Sequence, residues 1–211
     1  MIDIEKPIML AIESAIAGGS LSILSGTEEI AGWTGGDGPA RGEELLVNIR
    51  SLLSSVDLKL KDIDSIAVSA GPGSFTGIRI GIATALGMKK GLGVPMSSES
   101  ALKSMAHRYL TPGNMVTAAL PMGRQMVCLQ TFEALAGAIA PSTDPYIIRQ
   151  SDLSKHAHRG NSLLLHSQLF NEMRGDDRNA DAGENIARLI GQVCSGTPKM
   201  VIPPIFLSKD F

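Results

Sequence analysis

One stretch constrains this chain more than any other: Ile66-Ala67-Val68-Ser69-Ala70, then Gly71-Pro72-Gly73-Ser74-Phe75-Thr76-Gly77, then Ile78 to Gly91. The first five residues read as a buried strand. Three glycines and a proline within the next seven cannot continue either a strand or a helix, so a tight loop follows. Pro72 fixes one torsion, and the glycines allow close approach of backbone to backbone. Ser74 or Thr76 can cap the helix that comes next. The unpaired N–H groups at its start, together with the helix dipole, form a candidate anion seat. Known phosphate and nucleophile loops do not match. A Walker loop ends Gly-Lys-Ser/Thr, and here Gly77 is followed by Ile78-Arg79. Pro72 stands where a nucleophile elbow needs glycine, and the dinucleotide-binding glycine spacing is missing.

The remainder arranges itself around that unit. Ile8 to Ile12 is a short apolar run, expected as a strand buried on both faces and ending at Glu13-Ser14. Ser20 to Leu24 alternates polar and apolar, and Glu28 to Trp33 follows the turn at Ser25-Gly26, so an antiparallel meander is expected. A helix from about Gly42 to Val56 carries Leu45, Ile49 and Leu52 on one stripe. Ser98 to Leu110 reads as a further helix. Beyond Thr111-Pro112-Gly113-Asn114 the pattern restarts, with strands at 116–120, 126–132 and 146–148, a short helix at 151–156, a strand at 163–165 and a helix at 179–193. Two polar turns, Pro141 to Pro145 and Arg174 to Asp177, read as mobile. Strand-strand-strand-helix-strand-helix thus occurs twice, without self-similarity in sequence. The expected fold is α/β, a duplicated ribonuclease H-like or actin-like architecture with mixed sheets, with residues 1–110 as one subdomain and 111–211 as a smaller, reduced second.

Gly77, Gly81 and Ala85 recur every four positions on the central helix, beside Ile78 and Ile82. Glycine inside a helix costs about 1 kcal/mol against alanine, so a close contact must compensate. Three contacts could do so: the chain's own sheet, the preceding helix or another subunit.

Residues with chemical potential are few and scattered. Glu13 ends the first strand, where a carboxylate could serve phosphate or metal chemistry, yet no second acid or phosphate-gripping base accompanies it. Ser14, Gly73, Ser74 and Arg79 surround the possible anion seat. Asp62 and Asp64 flank a strand start and lie at the opposite edge from Glu13 if the two strands run parallel. His107, His156, His158 and His166 lack zinc-hydrolase spacing, and Cys128 and Cys194 match no metal motif, so no metal site is expected. The net charge of −2 provides no global field for nucleic acid. An acidic start, no apolar run of ~18 residues and two cysteines point to a reduced, cytoplasmic setting away from membranes.

The run from Ser69 to Gly81, extended by Ala83-Thr84-Ala85 and Gly91-Leu92-Gly93-Val94-Pro95, resembles the signature of the TsaB (YeaZ) family. Weaker similarity covers Leu10 to Ser14, Glu43 to Leu46 and Pro204 to Leu207. The resemblance implies a bacterial, non-catalytic subunit of the machinery that makes threonylcarbamoyladenosine next to the tRNA anticodon. It implies pairing with the catalytic paralogue TsaD through a helical bundle and homodimers through the same helices when alone. A TsaE-like ATPase would join, tRNA would be met indirectly, and ATP or ADP would bind only at the interface with partners. On this reading the subunit contact includes Leu45, Ile49, Leu52, Gly77, Ile78, Gly81, Ile82 and Ala85. The chain departs from the family pattern at Glu13, where aspartate is usual, at Arg41, around Pro121 and at Ser208. Read without the family, the residues also admit an actin-like-fold enzyme (a phosphotransferase or a glycoprotease-like hydrolase) or a homodimeric regulatory binder.

Overall fold

The computed structural model describes residues 6–36, 42–109, 111, 113–135, 138–156, 162–172, 179–183, 185–195 and 203–205. It divides into two units: Met1–Ala101 with Asn185–Phe206, and Leu102–Glu184 with Leu207–Phe211.

In the first unit β1 (Ile8–Glu13), β2 (Ser20–Ser25) and β3 (Glu28–Thr34) form the expected antiparallel meander. Helix α1 (Gly42–Ser54) precedes β4 (Ser65–Ser69), which pairs parallel with β1, Met9 opposite Ser65. Helix α2 (Phe75–Leu92) follows the glycine loop and ends at Gly93, whose φ of 72° is the left-handed cap that favours glycine. Strand β5 (Met96–Glu99) completes the order β3-β2-β1-β4-β5. Alternate strand residues serve opposite faces. Ile8, Leu10 and Ile12 of β1, Leu21 and Ile23 of β2, and Ile66 and Val68 of β4 share one core with Leu45, Ile49, Leu52 and Leu53 of α1 and Ala85 of α2. Each such aliphatic side chain, fully buried, contributes about 1.5–3 kcal/mol. The other sheet face is covered by α5 (Ile186–Ser195), whose Gly191 lies against Leu24 and Ala11. At its start the Ala187 amide donates to Ser20 Oγ at 3.0 Å, and Asn185 Nδ2 donates to Glu29 Oε1 at 2.8 Å.

The second unit begins with α3 (Ala101–His107), which belongs to it from Leu102 onward. Strands β6 (Met115–Pro121), β7 (Met126–Leu135), β8 (Ala138–Pro141) and β9 (Tyr146–Arg149) are antiparallel, β8 and β9 pairing with opposite ends of β7. A 3₁₀ turn (Gln150–His156), β10 (Ser162–His166), α4 (Ser167–Glu172) and β11 (Asn179–Gly183) follow. The sheet order β11-β10-β6-β7-β8, with β10 parallel to both β6 and β11, repeats that of the first unit. This is the duplicated actin-like fold.

Several expectations need correction. Residues 98 and 99 are strand, not helix: Ser98 and Glu99 pair with Val68 and Ser69, and α3 starts only at Ala101. Their polar Ser-Glu-Ser sequence imitates a helix cap, but ladder pairing prevails. Residues 179–183 are likewise strand, with the helix delayed to Ile186, because Asp181 Oδ1 accepts from Ser167 Oγ at 2.7 Å and from the Gly183 amide at 2.8 Å. Both errors fall on the same element of the repeat. Strand β8 and helix α4 were not foreseen. The Pro141–Pro145 turn is pinned to β7, since Gln130 Nε2 donates to the Thr143 carbonyl at 3.0 Å and the Ser142 amide to that of Thr131 at 2.8 Å. Arg174 to Asp177 lie outside the described residues. The final helix completes the first unit.

Candidate functional site

Parallel pairing of β1, β4 and β5 brings their carboxyl ends to one edge, where open α/β sheets receive ligands. Glu13, the Ser69–Gly77 loop and Glu99 meet there. At the other edge Asp64 Oδ2 accepts from the Ile8 amide at 2.7 Å, so this acid is apart from Glu13, as parallel strands require.

The loop is held by its own chain at every turn. Gly71 has a φ of +95°, which favours glycine, and the Gly71–Pro72 peptide is cis. The Ala70 amide donates to the Glu99 carbonyl at 2.9 Å, the Ile205 amide to the Ala70 carbonyl at 2.7 Å, and the Gly71 amide to Ser69 Oγ at 3.1 Å. Ser74 is the cap of α2, its Oγ accepting from the Gly77 amide at 3.4 Å, and its own amide donates to the Ala15 carbonyl at 2.7 Å. Ser14 Oγ donates to the Gly77 carbonyl at 2.8 Å.

Glu13 is 1 % exposed. Its Oε1 accepts from the Ala15 amide at 2.5 Å and the Ile16 amide at 3.0 Å. Burial pushes its carboxyl up to about 7, and the two amide bonds work in the opposite direction. Glu99 is also buried, with Oε1 accepting from the Ser100 amide at 2.8 Å. The Arg79 guanidinium lies over the ring of Phe75 in the same loop, 3.8 Å from the centroid. Hydrogen bonds unite Glu13, Ser14 and Ser74 with this turn, and Gly73 packs on Ala15. Sequence reasoning missed Ala15, whose backbone the loop grips, and Glu99, hidden in a segment that imitates a helix start.

The small residues of α2 explain themselves here. A Cβ at Gly73 would meet the Ala15 Cβ and carbonyl oxygen at 2.6 Å. One at Gly77 would overlap the Ser14 carbonyl oxygen, and one at Gly81 the Ser14 hydroxyl. Gly77, Ile78, Gly81 and Ala85 are buried within the first unit, as are Leu45, Ile49 and Leu52, while Ile82 is half-buried. These seven residues are packed inside the first unit, so their side chains are turned to its own core. What α1 and α2 present outward is different. Leu46 is 48 % exposed, Val47 62 % and Leu86 50 %, and an apolar groove between the helices is lined by Leu46, Leu60, Ala83, Gly87, Met88 and Gly91.

The second unit offers less. Cys128 is buried and its thiol is pushed up to about 12 by desolvation, so it is unreactive at neutral pH. Tyr146 Oη and His156 Nδ1 are 3.4 Å apart, and His158, Arg41 and Ser208 lie outside the described residues. Pro121 ends β6, and the turn after it places Arg124 and Gln125 at positive φ. Among the described residues no three of His, Cys, Asp and Glu gather as metal ligands. Nor is any described helix long and apolar enough to cross a membrane.

Comparison with known proteins gives these features a family. The family model for TsaD, tRNA N6-adenosine threonylcarbamoyltransferase, matches residues 40–174. The tRNA threonylcarbamoyladenosine biosynthesis protein TsaB of Bacillus subtilis is 25 % identical over 135 residues, 60 % of this chain and 59 % of that protein. Its Escherichia coli counterpart is 41 % identical over 64 residues, 30 % of this chain and 28 % of that protein. The matched part thus spans less than two thirds of either relative. Among solved structures, YeaZ from Pseudomonas aeruginosa superposes with a TM-score of 0.62 at 18 % identity, covering 89 % of this chain and 92 % of that one. The ethanolamine utilization protein EutJ from Carboxydothermus hydrogenoformans reaches 0.52 at 11 % identity, covering 90 % and 89 %. The family match across more than half the chain joins the named relatives and the shared fold in one conclusion: the chain belongs to the TsaD-type threonylcarbamoyltransferase family and, within it, to its TsaB (YeaZ) members.

Proposed function

We propose that this chain is a non-catalytic subunit in the biosynthesis of threonylcarbamoyladenosine in tRNA, acting by pairing with a TsaD-like catalytic paralogue. The observation that carries the reading is the exposed apolar band of α1 and α2, made by Leu46, Val47 and Leu86 around the groove of Ala83, Gly87 and Gly91. A Cβ at Gly87 or Gly91 would meet nothing within 4 Å, so a facing helix can approach the α2 backbone there. Such a band on a helix pair matches a helical-bundle contact, and its rim carries Lys89 and Lys90. A second copy of the chain would use the same band when the paralogue is absent. On this reading a TsaE-like ATPase joins the pair, ATP or ADP enters only where partner chains meet, tRNA is reached through the complex, and the setting is the cytoplasm.

The test is co-purification of the full chain with a TsaD-like protein from the same genome. The expected result is a stable complex that Leu86→Glu abolishes while the melting temperature of the isolated chain stays unchanged. Depleting the chain should lower threonylcarbamoyladenosine in bulk tRNA, read by mass spectrometry of nucleosides. Pairing that survives Leu86→Glu together with Val47→Glu would refute the docking face. Unaltered nucleoside levels on depletion would refute the pathway.

A further inference from the structure

The actin-like fold implies a nucleotide whose phosphates meet the carboxyl edge of the parallel strands, and the residues at that edge in the first unit do not fit one. The space beside Gly73 is filled by the Ala15 Cβ and carbonyl, and that beside Gly77 by the Ser14 carbonyl. Five amides at this edge already have acceptors within the chain. Gly71 donates to Ser69 Oγ, Ser74 to the Ala15 carbonyl and Gly77 to Ser74 Oγ. Ala15 and Ile16 both donate to one oxygen of Glu13. This last pair differs in kind from the others, because its acceptor is a carboxyl group. Two adjacent amides converging on one oxygen form the arrangement that binds an external oxyanion.

We infer that the Glu13 carboxyl group is the resident acceptor of the β1–β2 turn, holding the Ala15 and Ile16 amides in place of a phosphoryl group, so that the turn is a latent oxyanion site released only when this side chain is withdrawn. The inference is independent of the pairing described above. It also gives Glu13, the family departure at this position, a specific task. The ligand class of the released site is a tetrahedral oxyanion, either inorganic phosphate or the terminal phosphoryl group of a nucleotide.

The test compares the full-length chain, Glu13→Ala and Glu13→Gln by thermal melting in phosphate, in ADP, and in potassium chloride of equal ionic strength. Binding to the folded state raises the melting temperature saturably with ligand. The expected outcome is a saturable rise in phosphate for Glu13→Ala alone. Glu13→Gln keeps a carbonyl oxygen for the two amides and should behave as the parent chain. A saturable rise in the parent chain, the same rise in Glu13→Gln, or no rise in a cooperatively melting Glu13→Ala would each overturn the inference. So would a response of Glu13→Ala to ADP without one to phosphate, which would assign binding to the base. Should Glu13→Ala not melt cooperatively, the Ala15 and Ile16 amide resonances of the parent chain decide. They should stay fixed through a phosphate titration, and movement would refute the resident acceptor.

Discussion

Along α2 the row Gly77, Gly81, Ala85 and the row Ala83, Gly87, Gly91 have the same four-residue spacing and nearly the same composition. The first row is pressed against Ser14 and the end of β1, with no room for a Cβ at either glycine. The second faces open space beside Leu46 and Leu86. Spacing alone places residues on a shared face, and only the fold says what that face meets. One row sets the distance between helix and sheet, and the other leaves a helix surface unfilled.

Substitutions can break this contrast, beginning with the largest effect. Gly77→Ala sets a Cβ on the Ser14 carbonyl oxygen, a backbone atom that cannot swing aside. It should destabilise the chain by about 3 kcal/mol, measured by urea unfolding. Near the same row, Glu13 should make stability depend on pH. Its folded value of about 7 lies above the ordinary carboxyl value of 4.5, so the folded state holds the proton more tightly. Stability from this group is complete below pH 4.5 and lost as pH rises through 7, a change of up to about 3 kcal/mol. Glu13→Gln should flatten that part of the pH–stability profile. Gly81→Ala displaces a hydroxyl rather than backbone, giving up the Ser14–Gly77 hydrogen bond for about 1 kcal/mol. On the opposite face Gly87→Ala meets nothing and should stabilise the isolated chain by about 0.5–1 kcal/mol. If Gly81→Ala and Gly87→Ala shift the unfolding midpoint in the same direction, the distinction between the two rows is lost.

Much of the fold was legible because its signals are local and strong. The meander, α1, the glycine loop and α2 follow from apolar runs, period and turn chemistry. Strands β5 and β11 were hidden because Ser97-Ser98-Glu99 and Asn179-Ala180-Asp181 carry little β propensity and become strands only through neighbours already in place. At the candidate site the participants Glu13, Ser14, Gly73 and Ser74 could be read from the sequence. Their engagement with one another could not, since Ala15 contributes through backbone atoms that any residue possesses. The destination of the small-residue face was likewise illegible, because a sheet and a foreign helix demand the same absence of side chains.

The helix that covers the back of the first sheet has a consequence for how the chain is made. Gly191 closes over Leu24 and Ala11, residues that leave the ribosome well before it. Until α5 emerges, the whole second unit must be synthesised while that strand face waits without its lid. Nascent chains halted before Asn185 should therefore be better substrates for chaperones and proteases than chains that carry α5.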